Sequence, residues 1–254
     1  MSTTARLVWL GQSGFLIRLG EANILIDAFL SPHPERLFRS ELSISDRRFL
    51  DVIACTHDHL DHLDRDALPA LASESPQARV VVPEQCVDVV AGLGISRNRI
   101  LGLQPEETVA VAGVTVRAVR ARHAMHATDA YTFDGFLGFV FIAGDIAIYH
   151  AGDTIGYDGL GAGLRKLRVN VCLLPINGRD AEREARDIVG NMDAEEAAQL
   201  AIASGAEVAI PMHYDMFAGN PGDPARMVAA VEGLGGGVKV VVPAHGRPFV
   251  YTRP

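Results

Sequence analysis

The sequence predicts an α/β protein, a four-layer αβ/βα sandwich, on three observations. Short apolar runs bounded by glycine recur along the chain. Helical patterns alternate with the later runs of each half. The order of strand meander followed by α/β alternation occurs twice, with no low-complexity linker between the halves. Two such halves face each other sheet to sheet, with helices outside, so residues 1–254 read as one domain. A chain of 254 residues is long enough to bury one large core.

Each element follows from its local pattern. ARLVWL, FLIRL and NILIDAF, punctuated by Gly11, Gly14 and Gly20, predict a meander of antiparallel strands. The polar segment 32–49 is irregular and partly helical. DVIACT returns to strand, and HDHLDHLD is a loop leading into a helix around DRDALPALA. VVVP and EQCVDVVAGLG continue the strand–helix alternation. ETVAVAG-VTVRAVRA predicts a hairpin across Gly113, and FLGFVFIAGDIAIYHA a second across Gly144-Asp145. VNVCLLP, AEVAIPM and VKVVVP are strands. Between them lie helices over DAEEAAQLAIASG, with Asn191 or Asp193 near its start and Gly205 past its end, and over DPARMVAAVEGLG.

The bulk properties exclude several function classes. Nearly half the residues are apolar, which marks a folding chain. The net charge of -8 argues against nucleic acid as a partner, since that needs a basic footprint. No window approaches the ~18 apolar residues of a membrane-spanning helix. MSTTARLVWLGQSGF has no basic region followed by a long apolar stretch, which predicts a cytoplasmic protein. Cys55, Cys86 and Cys172 are widely spaced in apolar segments and read as buried thiols.

The chemistry concentrates at 56–64, THDHLDHLD. Imidazole and carboxylate are the usual nitrogen and oxygen ligands of Zn²⁺ and Mn²⁺. In His57-x-His59-x-Asp61-His62, alternate side chains point one way, so His57 and His59 can share one ion. Asp61 and His62 lie past the bend and can serve a second ion, two-metal hydrolase sites being spaced ~3.5–4 Å. Asp58 and Asp64 are expected to point outward or to cap the following helix. The remaining ligands should also sit at strand ends, where His123, Asp153 and His213 are found. Gly152 would let the backbone pass close to a metal. His126 competes with His123, and His245 with His213.

THDHLDHLD, ARH, YHAGDT and IPMHYD together resemble the metallo-β-lactamase superfamily, whose hallmark is an H-x-H-x-D-H run with later His, Asp and His ligands. WLGQSGFLI, INGRDAEREARDIVGNMDAEEAAQLA and IPMHYDMFAGNPGDP resemble its branch containing L-ascorbate-6-phosphate lactonase, over about Leu7 to Val231. The resemblance implies the superfamily's sandwich fold. It places His57, His59 and His123 on one metal and Asp61, His62 and His213 on the second, with Asp153 bridging. It also implies manganese or zinc as one or two ions, and a homo-oligomer. Asp27 matches an early aspartate that orients a histidine or a loop, or else is a strand-ending turn residue.

The expected function is therefore a metal-dependent hydrolase that opens a lactone of a phosphorylated sugar acid, such as L-ascorbate 6-phosphate. A divalent cation polarises the carbonyl and lowers the pKa of its water, for Zn²⁺ from 15.7 to ~7. The resulting hydroxide attacks, Asp61 or Asp153 relays the proton, and Tyr214 assists at the oxyanion. Asn177 and Arg179, after the VCLLP strand, and His126 are expected at the small, anionic substrate. The alternatives are a phosphodiesterase for small cyclic nucleotides and a non-catalytic metal-binding scaffold.

Overall fold

The computed structural model describes residues 4–40, 42 and 44–253, so positions 41 and 43 of the polar segment lie outside the described residues. The first half contains β1 (Thr4–Gly11), β2 (Gly14–Leu19), β3 (Ala22–Ile26), α1 (Ile44–Arg48), β4 (Val52–Ala54), α2 (Leu68–Glu74), β5 (Arg79–Pro83), α3 (Val87–Gly92) and β6 (Ile100–Leu103). The second contains β7 (Thr108–Val111), β8 (Val114–Arg120), β9 (Leu137–Ala143), β10 (Ile146–His150), α4 (Leu160–Lys166), β11 (Val171–Pro175), α5 (Ala181–Glu184), α6 (Ala194–Ser204), β12 (Val208–Met212), α7 (Pro224–Gly233) and β13 (Lys239–Val240). A last strand, β14 (Pro248–Thr252), returns to the first sheet.

The two sheets have seven strands each, in the orders β14-β1-β2-β3-β4-β5-β6 and β13-β12-β11-β10-β9-β8-β7. In each, an antiparallel meander passes into a parallel α/β run. Residue alternation sorts the cores. Leu7, Trp9, Phe15, Ile17, Val52 and Ala54 face the second sheet's Val116, Phe139, Phe141 and Ile148. Their neighbours Val8, Leu16, Ile53 and Cys55 face outward, onto Leu68, Leu71 and Val90 of α2 and α3. α4, α6 and α7 cover the other sheet through Leu164, Ala197, Ala201 and Met227. The expected four layers follow.

Several elements differ from expectation. VKVVVP pairs only as Lys239–Val240, and β6, β14, α4 and α5 are additional. α6 starts at Asp193, whose carboxylate accepts from Glu196 N while Glu196 reaches back to the Asp193 N–H. It ends at Gly205 in the left-handed conformation. All three cysteines are buried and unpaired. No helix among the described residues is long and apolar enough to cross a membrane.

This topology decides where the chemistry lies. β1 and β3 both run antiparallel to β2, and β4 parallels β3, so these three strands end at one edge of the first sheet. β8 and β10 both run antiparallel to β9, and β11 and β12 parallel β10, so their ends share one edge of the second. The residues that follow those strands meet.

Candidate metal centre

Two groups of ligand-type atoms form where the strand ends meet. His57, His59, His123 and Asp153 make one, and Asp61, His62 and His213 the other; within each group the nitrogens and oxygens all lie within 4.8 Å of one another. Asp153 faces both. Its Oδ1 is 3.2 Å from His62 Nε2, and its Oδ2 is 3.2 Å from His213 Nε2 and 3.5 Å from His123 Nε2. His213 Nε2 is also 3.4 Å from Asp61 Oδ2.

The hydrogen-bond network assigns which nitrogens are free to coordinate. Asp27 ends β3 and accepts from Thr56 N (2.8 Å) and Thr56 Oγ1 (2.7 Å). Having given its proton to Asp27, the Thr56 hydroxyl accepts from His57 Nδ1 at 3.1 Å. His57 Nε2 therefore carries the lone pair. It lies 2.9 Å from His59 Nδ1. His59 donates through Nε2 to the Met125 carbonyl at 3.0 Å, which leaves Nδ1 free. His62 donates through Nδ1 to Asp27 Oδ2 at 2.7 Å, turning Nε2 toward Asp153. Asp27 thus orients a histidine and a loop and binds no ion itself.

The donor set fits a divalent cation. His123 Nδ1 and Nε2, His62 Nε2 and Asp153 Oδ1 are buried without a hydrogen-bond partner, a costly state for a polar atom unless a ligand completes it. Burial holds His57 neutral and pushes His123 down to about 3. His62 and His213 behave oppositely. Burial opposes their charge, yet Asp153, with Asp27 and Asp61, raises His62, and Asp153 and Asp61 raise His213 to about 9. Burial likewise opposes ionisation of Asp61 and Asp153, but His62 and His213 keep both carboxyls well below the usual range.

A residue that sequence reasoning passed over completes the second group. Gln12, in the turn between β1 and β2, is buried and donates from Nε2 to Asp61 Oδ2 at 2.7 Å. The same amide nitrogen lies 3.2 Å from the His213 ring nitrogens. The Gln12 backbone carbonyl accepts from His213 N (2.9 Å) and Trp9 Nε1 (3.0 Å). Gln12, Asp27 and His213 all hold positive φ, at 51°, 45° and 62°, so strained backbone gathers around one site. The signal in the sequence is a single amide between Gly11 and Gly14, in a turn flanked by apolar strands.

Other expected roles fall elsewhere. Arg179 is taken by Glu196 in a two-pronged pair at 2.6 Å and by the Asn191 carbonyl, so it anchors the start of α6 and does not line the cavity. Asn177 is buried between Asn191 and Asn220 (3.1 and 3.0 Å), and Asn220 is the amide that reaches the cavity wall. The Tyr214 ring packs on Trp9 at 5.0 Å and is not among the lining residues. His126 lines the cavity but is exposed and engages Asp187 at 3.0 Å; His123, not His126, joins the ligand group. His245 pairs with Asp215 at 2.6 Å, away from both groups, because its ring is held between Phe38 and Trp9.

Two supporting expectations change as well. Asp64 does not face outward: it is buried and accepts from Leu30 N, Ser31 N, Ser31 Oγ and Ala67 N, tying the loop after β3 to the start of α2. Asp58 pairs with Arg65 at 2.7 and 2.8 Å. Packing also requires a glycine at position 152. At φ 61° a Cβ there would lie 2.8 Å from both the Leu137 carbonyl and Thr56 Cβ, so it allows the two sheets' site loops to touch.

His59, Asp61, Asp153 and His213 of the two groups line a cavity of about 390 Å³, within the range of small-molecule sites. Phe29, Leu60, Met125, Ile188, Val189 and Phe217 line its walls, with Arg186 and Gly219 alongside.

Comparisons with known proteins agree with this geometry. A family model described as the beta-lactamase superfamily domain matches residues 22–214. A UPF0173 metal-dependent hydrolase of Myxococcus xanthus is 31% identical, over 94% of this chain and 81% of its own length. One from Thermoplasma acidophilum is 29% identical, over 96% of this chain and 97% of its own. Among solved structures, Igni18, a metallo hydrolase of Ignicoccus hospitalis, is 26% identical with a TM-score of 0.76, covering 98% of each chain.

Proposed function

The chain belongs to the metallo-β-lactamase superfamily, within its UPF0173 group of metal-dependent hydrolases, and on that premise we propose that it opens small lactones by hydrolysis. The observation that carries this reading is the pair of ligand groups sharing Asp153, which lines the cavity. His57, His59, His123 and Asp153 would hold one Mn²⁺ or Zn²⁺, and Asp61, His62, His213 and Asp153 a second. Such a cation polarises a carbonyl and, for Zn²⁺, lowers the pKa of a coordinated water to ~7.

The chain's own residues do the rest. Asp61, pinned by Gln12 with one oxygen toward His213, and Asp153 are the bases placed to accept the proton of the attacking water. Asp27 and Thr56 fix the ring planes, so the ligand nitrogens are set before substrate arrives. The acyl C–O bond breaks, the water oxygen joins the carbonyl carbon, and the ring oxygen leaves with a proton as an alcohol. The product is a hydroxy acid.

The test is a panel led by L-ascorbate 6-phosphate, with simple lactones and phosphodiesters, in Mn²⁺ and in Zn²⁺. Lactone opening that is lost with a chelator and in His59→Ala is expected. If the metal-loaded protein cleaved neither bond, and His59→Ala altered neither turnover nor metal content, the reading would fail.

A further inference from the structure

The cavity walls carry a pattern that the hydrolytic step itself does not require. Leu60 and Met125 are 50% and 42% exposed, both on this rim. Phe29 and Phe217 line the same cavity and pack with ring centroids 6.1 Å apart. Apolar side chains gathered at the mouth of a site mark the binding of an apolar group. A sugar acid would present hydroxyls to Phe29, Leu60, Met125 and Phe217, which offer them no partners.

The rim charges are mostly spoken for. Asp58 is paired with Arg65. Asp187 accepts from Ala127 N at 2.8 Å and faces His126. Among the described residues, Glu35 and Arg186 are the lining charges outside the ligand groups that have no ion pair, whereas Arg179 and Arg183 are bound to Glu196 and Asp180. The Arg186 guanidinium lies against Gly219, where a Cβ would overlap its Nη1, Nη2 and Cζ. A guanidinium seated on bare backbone beside an apolar slot is suited to a planar oxyanion.

We propose that the substrate is an amphipathic oxyanion, with its hydrolysable carbonyl at the ligand groups, an apolar body against Phe29, Leu60, Met125 and Phe217, and a remote carboxylate or phosphate on Arg186. This narrows the hydrolase reading and rests on it only for the position of the carbonyl.

Inert acids test the site without turnover. Calorimetric titration of the Zn²⁺-loaded full chain with succinate, adipate and suberate should show affinity rising about fourfold for each buried methylene. Arg186→Ala should weaken suberate about tenfold or more and leave octanoate, which lacks the second carboxylate, unchanged. Gly219→Ala, which keeps the arginine but displaces it, should reproduce that loss. Octanoate bearing a terminal phosphonate distinguishes phosphate from carboxylate, the tighter of it and suberate naming the oxyanion. Affinity independent of chain length, or equal losses for suberate and octanoate in Arg186→Ala, would overturn the proposal. Because no bond is cleaved, this outcome is separable from a failure to open lactones.

Discussion

The two ligand groups are built from the same residue types, yet they are prepared differently. In the histidine-rich group, burial and then the neighbouring histidines hold His57 and His123 down despite Asp153, and His123 has no hydrogen-bond partner on either nitrogen. In the other group, Asp61, His62 and His213 are cross-linked by ion pairs and propped by Gln12 and Asp27. The first group has open lone pairs and nothing to give up. The second must release protons from His62 and His213 before they coordinate.

The largest effect should come from removing what the two groups share. Asp153→Ala is expected to lower lactone turnover about a thousandfold or more, the kinetic equivalent of several kcal/mol, and to reduce the binding of both cations. Retention of one full equivalent would show the groups to be independent. Gln12→Ala should sharpen the contrast, weakening the second ion roughly 10–100-fold while sparing the first, whereas Asp27→Asn, which also loosens Thr56 beneath His57, should weaken both. Metal content after dialysis reads the outcome.

The pH dependence separates the groups by sign. Between pH 8 and pH 6, uptake by the second group should fall, by about tenfold per pH unit for each proton that must leave, while the first group changes little. In the chelated protein the linkage runs the other way. His213 has its folded pKa raised to about 9, so its stabilising contribution is fully present below its unfolded value near 6.5 and is lost as pH rises through about 9. Chelated wild type should therefore melt at a lower temperature at pH 9.5 than at pH 6, and His213→Asn should flatten that difference. The smallest effect belongs to Arg179→Ala. It breaks a half-exposed pair with Glu196, worth about 1 kcal/mol or less, and should leave KM unchanged, in contrast to Arg186→Ala.

How much of this was readable in the chain follows from the range of each interaction. His57, His59, Asp61 and His62 lie in one loop, and strand-end position pointed to His123, Asp153 and His213. Gln12 and its bond to Asp61 span 49 residues, a pairing no local pattern encodes. The sequence presents Arg179 as a substrate contact because its partner Glu196 sits a loop and a helix turn later. α4 was invisible for a related reason. LGAGLRK carries two glycines that weaken a helix by about 1 kcal/mol each, yet Gly161 is where α4 meets Ala203 of α6 closely enough that a Cβ would lie 2.6 Å from its methyl. Packing supplies what propensity withholds. The cavity walls came from loops spread over the whole chain, so the side that selects substrate was the least legible part.

Cation stoichiometry tests the paired centre most directly. Chelated protein is dialysed at pH 8 against a limiting concentration of free Zn²⁺, and bound metal is counted by mass spectrometry for wild type, Gln12→Ala and Asp153→Ala. Two equivalents in wild type, one in Gln12→Ala and fewer than one in Asp153→Ala are predicted. Metal content identical in all three, or absent from wild type, would contradict it.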